Sequence, residues 1–278
     1  MKKAIVPLFV IAAALAGCSP HIHLDFLGQE KLAEIVLLPG PEAEKVLMID
    51  IEGVISESAD TGLFSREKNA VSRVYERLER AALDPRVKAV ILRLDTPGGE
   101  VTASDIIYHE VLRFKERTRK PVVGLMMGIA ASGGYYIASA CDIIIAHPTT
   151  LTGSIGVISI FPNFADLMVK VGVKVNVIKS GKAKDSGGPF RDMTAEERKI
   201  FQAIIDEYYE DFLKAVSGNR RERIAAADLR AIADGRVYTA QQALRLKLID
   251  GIGYFDDAFN RTLALAGQFT ADGAGNFT

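Results

Sequence analysis

Three near-continuous apolar runs, Val46 to Ile51, Ala89 to Leu94 and Val122 to Met126, alternate with stretches of helical periodicity. No other feature of the chain constrains its fold as much. Runs this short and this apolar predict strands covered on both faces, the condition of a parallel sheet. The stretches between them predict helices over Ala70 to Leu83, where Val71, Val74 and Leu78 share a face, and over Ala103 to Thr118. Strand, helix and strand in that order make βαβ units, so the expectation is an α/β fold on a parallel sheet. The pattern continues with strand Ile143 to Ala146, helix Phe164 to Lys170 and strand Val173 to Lys179. A capping box at Thr194-Ala195-Glu196-Glu197 then opens a helix whose apolar stripe runs from Ile200 to Leu213. Helices over Ala225 to Ala233 and Ala240 to Leu246 follow.

The N-terminus bears on compartment. Lys2 and Lys3 precede an uncharged apolar run of 14 residues, Ala4 to Gly17, short for a membrane span of about 20 but suited to a signal-peptide core. It ends in Leu15-Ala16-Gly17-Cys18, which resembles the lipobox of bacterial lipoproteins. That resemblance implies cleavage before Cys18, acylation of the Cys18 thiol and new N-terminus, and an extracytoplasmic, membrane-anchored location. An uncleaved anchor with an incidental cysteine is the alternative. The chain thus divides into a signal peptide (1–17), a tether and edge element (18–44), a single domain (45–266) and a disordered tail rich in Gly and small polar residues (267–278). Cys141, the second cysteine, reads as a small buried hydrophobe. The net charge of −1, without a basic block, argues against nucleic acid as the main partner. His21 and His23 lack further nearby ligands, so no metal is assigned, and no cofactor is expected.

Between Val122 and Asp142 a strand passes through small residues into a helix, with Ser132 at the turn and Gly133-Gly134 after it. A serine there reads two ways: as an N-cap, or as a nucleophile beside free backbone N–H groups. Asp95-Thr96-Pro97-Gly98-Gly99-Glu100 closes the preceding strand with a glycine turn, and the two turns would open on one sheet edge. A serine nucleophile needs a base and oxyanion donors. Past the tether only His109 and His147 remain, neither within a recognisable triad, and Ala130 breaks the GxSxG elbow. A lysine is the remaining economical base. The lysine-rich stretch Lys179 to Gly188 lacks the P-loop spacing and reads otherwise as a solvated loop.

Taken together, Ala131-Ser132-Gly133-Gly134-Tyr135-Tyr136, Thr152-Gly153-Ser154-Ile155-Gly156-Val157, Lys179-Ser180-Gly181 leading to Lys184-Asp185, and Asp234-Gly235-Arg236-Val237-Tyr238 resemble the bacterial signal peptide peptidase A family, half-length type. The resemblance runs from about Lys45 to Ala266. It implies a Clp protease/crotonase-like fold of ββα repeats with helices packed outside, and peptide cleavage by a Ser/Lys dyad. By position Ser132 would be the nucleophile, Lys184 the base, Gly99 and Gly133 the oxyanion-hole donors, and Ser154 the residue that orients the lysine. The implied substrates are remnant signal peptides, with misfolded secreted proteins as a further class. Full-length relatives carry two tandem copies that share lysine and serine, which implies a homo-oligomeric ring with shared active sites for a single-copy chain. Half-length members commonly carry a transmembrane anchor, and here the chain departs from the pattern. A crotonase-type acyl-CoA enzyme and a non-catalytic lipoprotein scaffold are the competing readings. The first has no need of export, and the intact Ser132, Lys184, Gly99 and Ser154 set speaks against the second.

The lipobox predicts that Cys18→Ser leaves an unacylated precursor of larger size. Mass spectrometry of the membrane fraction checks it, and a lipid-bearing protein of mature size from that variant contradicts it.

Overall fold

The apolar runs become the centre of a parallel sheet. In this computed structural model, β1 (Lys45–Glu52), β4 (Val87–Thr96), β5 (Val122–Ala131), β6 (Ile143–Ala146) and β9 (Gly251–Ile252) lie side by side in that order, every neighbour parallel. β2 (Thr61–Gly62) and β3 (Ser65–Arg66) form a separate hairpin, and β7 (Leu151–Gly153) pairs with β5 and, antiparallel, with β8 (Val237–Thr239). The structure describes residues 34–38, 44–58, 61–62, 65–66, 68–220 and 223–271. The chain divides into two compact units, Met1–Pro39 and Gly40–Thr278. In the first, residues 34–38 are exposed and belong to no helix or strand. The signal peptide, Cys18 and most of the tether lie outside the described residues. All that follows concerns the second unit.

Successive strand residues point to opposite faces, and both faces are covered. On one, Leu92, Leu94, Val122 and Met126 pack with α1 (Ala70–Leu83) and α2 (Val101–Thr118) through Val74, Leu78, Ile107, Val111 and Phe114. On the other, Ile91, Val123, Leu125 and Ile145 pack with Ala258, Phe255 and Phe259 of α8 (Phe255–Ala271). Each fully buried side chain of this kind contributes roughly 1.5–3 kcal/mol of transfer free energy. Two-sided cover is why the strands read as continuous rather than alternating apolar runs. Cys141 is buried as expected, and burial pushes its thiol up to about 12.

At their carboxyl ends the strands bend into a second, short layer. Val123–Met126 of β5 pair with β6, whereas Ile129–Ala131 pair with β7. β4 shifts register after Leu94 so that Thr96 pairs with Ala130, and Ile55 bridges Gly99. Each repeat is therefore a long strand, a short strand and a helix, the ββα unit expected. Breaking the ladder leaves carbonyls to be satisfied. Buried hydroxyls do this: Thr150 Oγ1 donates to Met127 O at 2.5 Å and Thr152 Oγ1 to Ala130 O at 2.6 Å.

Three expectations need correction or extension. Val173 to Lys179 is not a strand: Val173, Val175 and Val177 alternate as strand residues do, yet the segment joins no sheet and their side chains stay exposed. Alternation shows which residues share a face, but a strand also needs a neighbour, and none of the described residues supplies one. The stripe from Ile200 to Leu213, which reads as core or as a subunit contact, divides between the two faces. Along α5 (Ala195–Arg220) Phe212, Leu213 and Val216 are buried, whereas Ile200, Ile204 and Tyr208 face solvent. Finally, α8 continues through Ala271, so 267–271 of the expected tail are helical and 272–278 lie outside the described residues. The remaining helices, α3 (Gly133–Ala138), α4 (Ala165–Val171), α6 (Ala226–Ile232) and α7 (Ala240–Arg245), fall where the periodicity placed them.

One buried ion pair had no sequence signal. Arg220, 1% exposed, reaches Asp250 at 2.7 Å, and Asp250 Oδ2 also accepts the Ile144 N–H at 2.8 Å. The pair fastens the end of α5 to the sheet. Among the described residues, no helix is long and apolar enough to cross a membrane.

Candidate active site

The site forms where the turn after β4 meets the turn after β5. Ser132 has φ 51° and ψ −119°, the angles of the first central residue of a type II′ turn, where glycine is the usual occupant. A side chain held there stores strain, a feature that clusters at functional positions. Its N–H donates to Gly153 O at 2.9 Å, and its carbonyl accepts the Tyr136 N–H at 2.9 Å to start α3. An N-cap serine would turn its hydroxyl back onto the helix. Ser132 makes no such bond, and among the described residues its Oγ has no hydrogen-bond partner. The N-cap reading fails on that geometry.

Helix α3 is short, but its far side is fixed. Tyr135 is fully buried and donates to Leu248 O at 2.9 Å, while Tyr136 donates to Asp105 Oδ1 at 2.7 Å and packs on Tyr108 and Phe212.

The β4 turn is held by Thr96, whose hydroxyl donates to Gly53 O at 2.5 Å and accepts the Gly98 N–H at 3.1 Å. Ile55 N–H donates to Gly98 O at 3.0 Å, and Glu100 N–H to Ile55 O at 2.8 Å. A parallel bridge uses the groups on either side of its central residue, so the N–H of Gly99 itself faces the other way, toward Ser132 and Gly133. The two turns approach too closely for side chains. A Cβ on Gly98, whose φ is +101°, would stand 2.7 Å from Gly133 N and 2.9 Å from Ser132 Cβ, in the space before the Gly133 N–H. A Cβ on Gly99 would collide with Ile55 O, and one on Gly134 would lie 2.7 Å from Thr96 Cγ2. Among the described residues neither Gly99 N–H nor Gly133 N–H donates a hydrogen bond. A free hydroxyl beside two free donors can attack a carbonyl carbon while its oxygen is held.

Ser154 stands beside Ser132 in register, because Ala131 pairs with Gly153. It too has positive φ, 50°, and its N–H donates to Arg236 O at 2.8 Å. The Asp234 to Tyr238 motif thus supports the site from behind: β8 flanks β7, and Tyr238 packs on Gly153.

The lysine loop is distinguished by its ion pairs. Lys179 Nζ donates to Asp185 Oδ1 at 2.5 Å, and Lys182 Nζ to Glu196 at 2.8 Å. Lys184 is exposed, and among the described residues its amine has no hydrogen bond or ion pair. No hydrogen bond joins it to Ser132 or Ser154 within the chain. The histidines offer no substitute: His147 shares its Nδ1 with the Thr149 hydroxyl and sets its ring against Tyr254, and His109 belongs to α2. Next to Lys184, Arg191 clamps Asp185 at 2.9 Å and also grips Glu197. Arg191 is the main reason that Asp185 is held well below the usual carboxylate range and that Glu197 is lowered to about 2. Glu197 is also the capping-box acid, accepting the Thr194 N–H at 2.9 Å. One carboxylate thus ties the lysine loop to the start of α5. The capping box was legible, but its second use was not, nor was the need for room at Gly98. The paired glycines at 98 and 99 held the clue, since one donor needs only one of them.

The sequence profile described as Peptidase family S49 matches residues 114–268. The chain is 34% identical to a protein of Methanocaldococcus jannaschii named a candidate protease, MJ0651, over 93% of this chain and 80% of that one. It is 34% identical to an Enterococcus faecium protein named a candidate signal peptide peptidase SppA, over 86% and 69% of the two chains. A Synechocystis sp. protein named a candidate protease, slr0021, is 38% identical over 81% and 75%.

Gly98→Ala places a methyl in front of the Gly133 N–H. Its kcat on a peptide substrate is expected to fall by at least about 10²-fold, the loss typical of one missing oxyanion donor. Steady-state kinetics on the folded variant check this, and a wild-type kcat removes Gly133 from the site.

Proposed function

This chain belongs to peptidase family S49 and is a serine peptidase, and from that premise we propose that it works as a Ser/Lys-dyad endopeptidase on remnant signal peptides at a membrane surface. The observation that carries the reading is the unbonded Ser132 hydroxyl, held on a strained turn beside the free Gly99 and Gly133 N–H groups. Lys184 is the proposed base because the other lysines of its loop are committed to carboxylates.

In the proposed reaction, neutral Lys184 takes the Ser132 proton as Oγ attacks the substrate carbonyl carbon. The oxygen becomes an oxyanion held by the two N–H groups, and Ser154 orients the amine. Collapse breaks the C–N bond, and the protonated lysine returns its proton to the leaving amine. Water, deprotonated by Lys184, then cleaves the acyl-enzyme by the same path in reverse. Extended apolar peptides with small side chains suit a site at a strand edge. Attachment through an acylated Cys18 would keep the enzyme beside its substrates.

A second copy of the chain completes the site in this reading. Lys184 is exposed and does not reach Ser132 here, and withdrawal from water favours a neutral amine. The arm around it leaves apolar side chains uncovered: Ile160 is 78%, Val169 79% and Ile178 99% exposed. With the unpaired Val173 to Val177 segment, this surface suits a head-to-tail contact that closes into a ring, bringing Lys184 of one protomer to Ser132 of the next.

Ser132→Ala and Lys184→Ala are each expected to lose about 10²–10⁴-fold in rate, and Lys184→Arg to fail as well, because a guanidinium stays protonated. Mixing the two alanine variants regains activity where a wild-type serine meets a wild-type lysine. No recovery from mixtures shown to exchange subunits puts both residues in one chain.

A further inference from the structure

Beside the two backbone donors stands a hydroxyl with nothing to bond. Ser104 is 3% exposed, and its Oγ has no hydrogen-bond partner. The fold does not neglect buried hydroxyls elsewhere. Thr96, Ser139, Thr150, Thr152 and Thr262 are as deeply buried, and each donates to a backbone carbonyl. Leaving such a group unsatisfied is destabilising, and alanine would avoid that cost while improving the helix.

Its location gives the cost a purpose. Ser104 lies on the first turn of α2, shortly after Gly99, and its N–H donates to Glu100 O at 3.1 Å. A Cβ on Gly133 would collide with Ser104 Oγ and stand 3.4 Å from Gly99 N. Ser104 Oγ thus fills the place a side chain on Gly133 would take, packed against Gly133 on the side where the Gly99 nitrogen lies, next to the proposed oxyanion position.

We propose that Ser104 Oγ–H is a third donor to the oxygen held by the Gly99 and Gly133 N–H groups. The inference rests on Ser132 being the nucleophile that generates this oxyanion. A carbonyl oxygen has two lone pairs and an alkoxide three, so two backbone donors leave the tetrahedral state one acceptor position that the ground state lacks. Ser104 donates there without giving up another bond, and its contribution grows with the developing charge. It therefore acts on kcat rather than on substrate binding.

The test is Ser104→Ala, with Ser132→Ala as the inactive baseline. Expected are a kcat lower by about 10- to 100-fold, somewhat less than for a backbone donor, with KM within about twofold. A peptidyl aldehyde, whose adduct carries the oxyanion, should lose affinity by the same factor as kcat/KM. The melting temperature should stay level or rise, and Ser104→Gly should repeat the kinetic loss. Wild-type kcat in folded Ser104→Ala overturns the proposal, as does a joint loss of kcat, KM and melting temperature, which marks a packing role. Full activity in Ser132→Ala would instead overturn the nucleophile assignment beneath it.

Discussion

The structure depends on two backbone turns approaching each other more closely than side chains allow. Residues 96–99 lie against 131–134 with glycines at 98, 99, 133 and 134, and a Cβ at any of the four would meet backbone or side-chain atoms. The approach sets the Gly99 and Gly133 N–H groups beside the Ser132 hydroxyl. Strain at Ser132 is sustained because its backbone is bonded on both sides, to Gly153 and to Tyr136. The ββα repeat provides the setting, since each strand must leave the main sheet to contribute to the second layer. Buried threonines stabilise that departure by satisfying the carbonyls it frees.

What local pattern could reveal was the part made of local structure. Continuous apolar runs located the parallel sheet, and the Pro-Gly-Gly and Ser-Gly-Gly turns located the edge where its two glycine turns meet. Val173 to Lys179 misled because alternation reports side-chain direction but carries nothing about a neighbouring strand. The Arg220–Asp250 pair was invisible because its members belong to separate elements and neither carries a periodic signal. Composition could not rank Lys179, Lys182 and Lys184, and family resemblance alone chose among them. The ion pairs supply a physical reason for the same choice: Lys179 and Lys182 are tied to carboxylates, and among the described residues Lys184 is not.

The contacts left unmade form a consistent set. Ser132 Oγ, Ser104 Oγ and the Lys184 amine lack partners among the described residues, in a fold that satisfies most buried polar groups. In the same way, the arm from Ile158 to Ile178 leaves its apolar side chains in solvent. A substrate carbonyl would fill the first gap, and a neighbouring copy the second. On the proposed mechanism, the single chain is then a folded but incomplete enzyme whose catalysis waits on assembly.

The nucleophile is the central claim, and covalent labelling tests it most directly. Incubating the wild-type protein with a fluorophosphonate and sequencing the adduct by mass spectrometry should place one phosphonyl group per chain on Ser132. A modification on any other residue, or none in an enzyme that is cleaving peptide, would contradict the account.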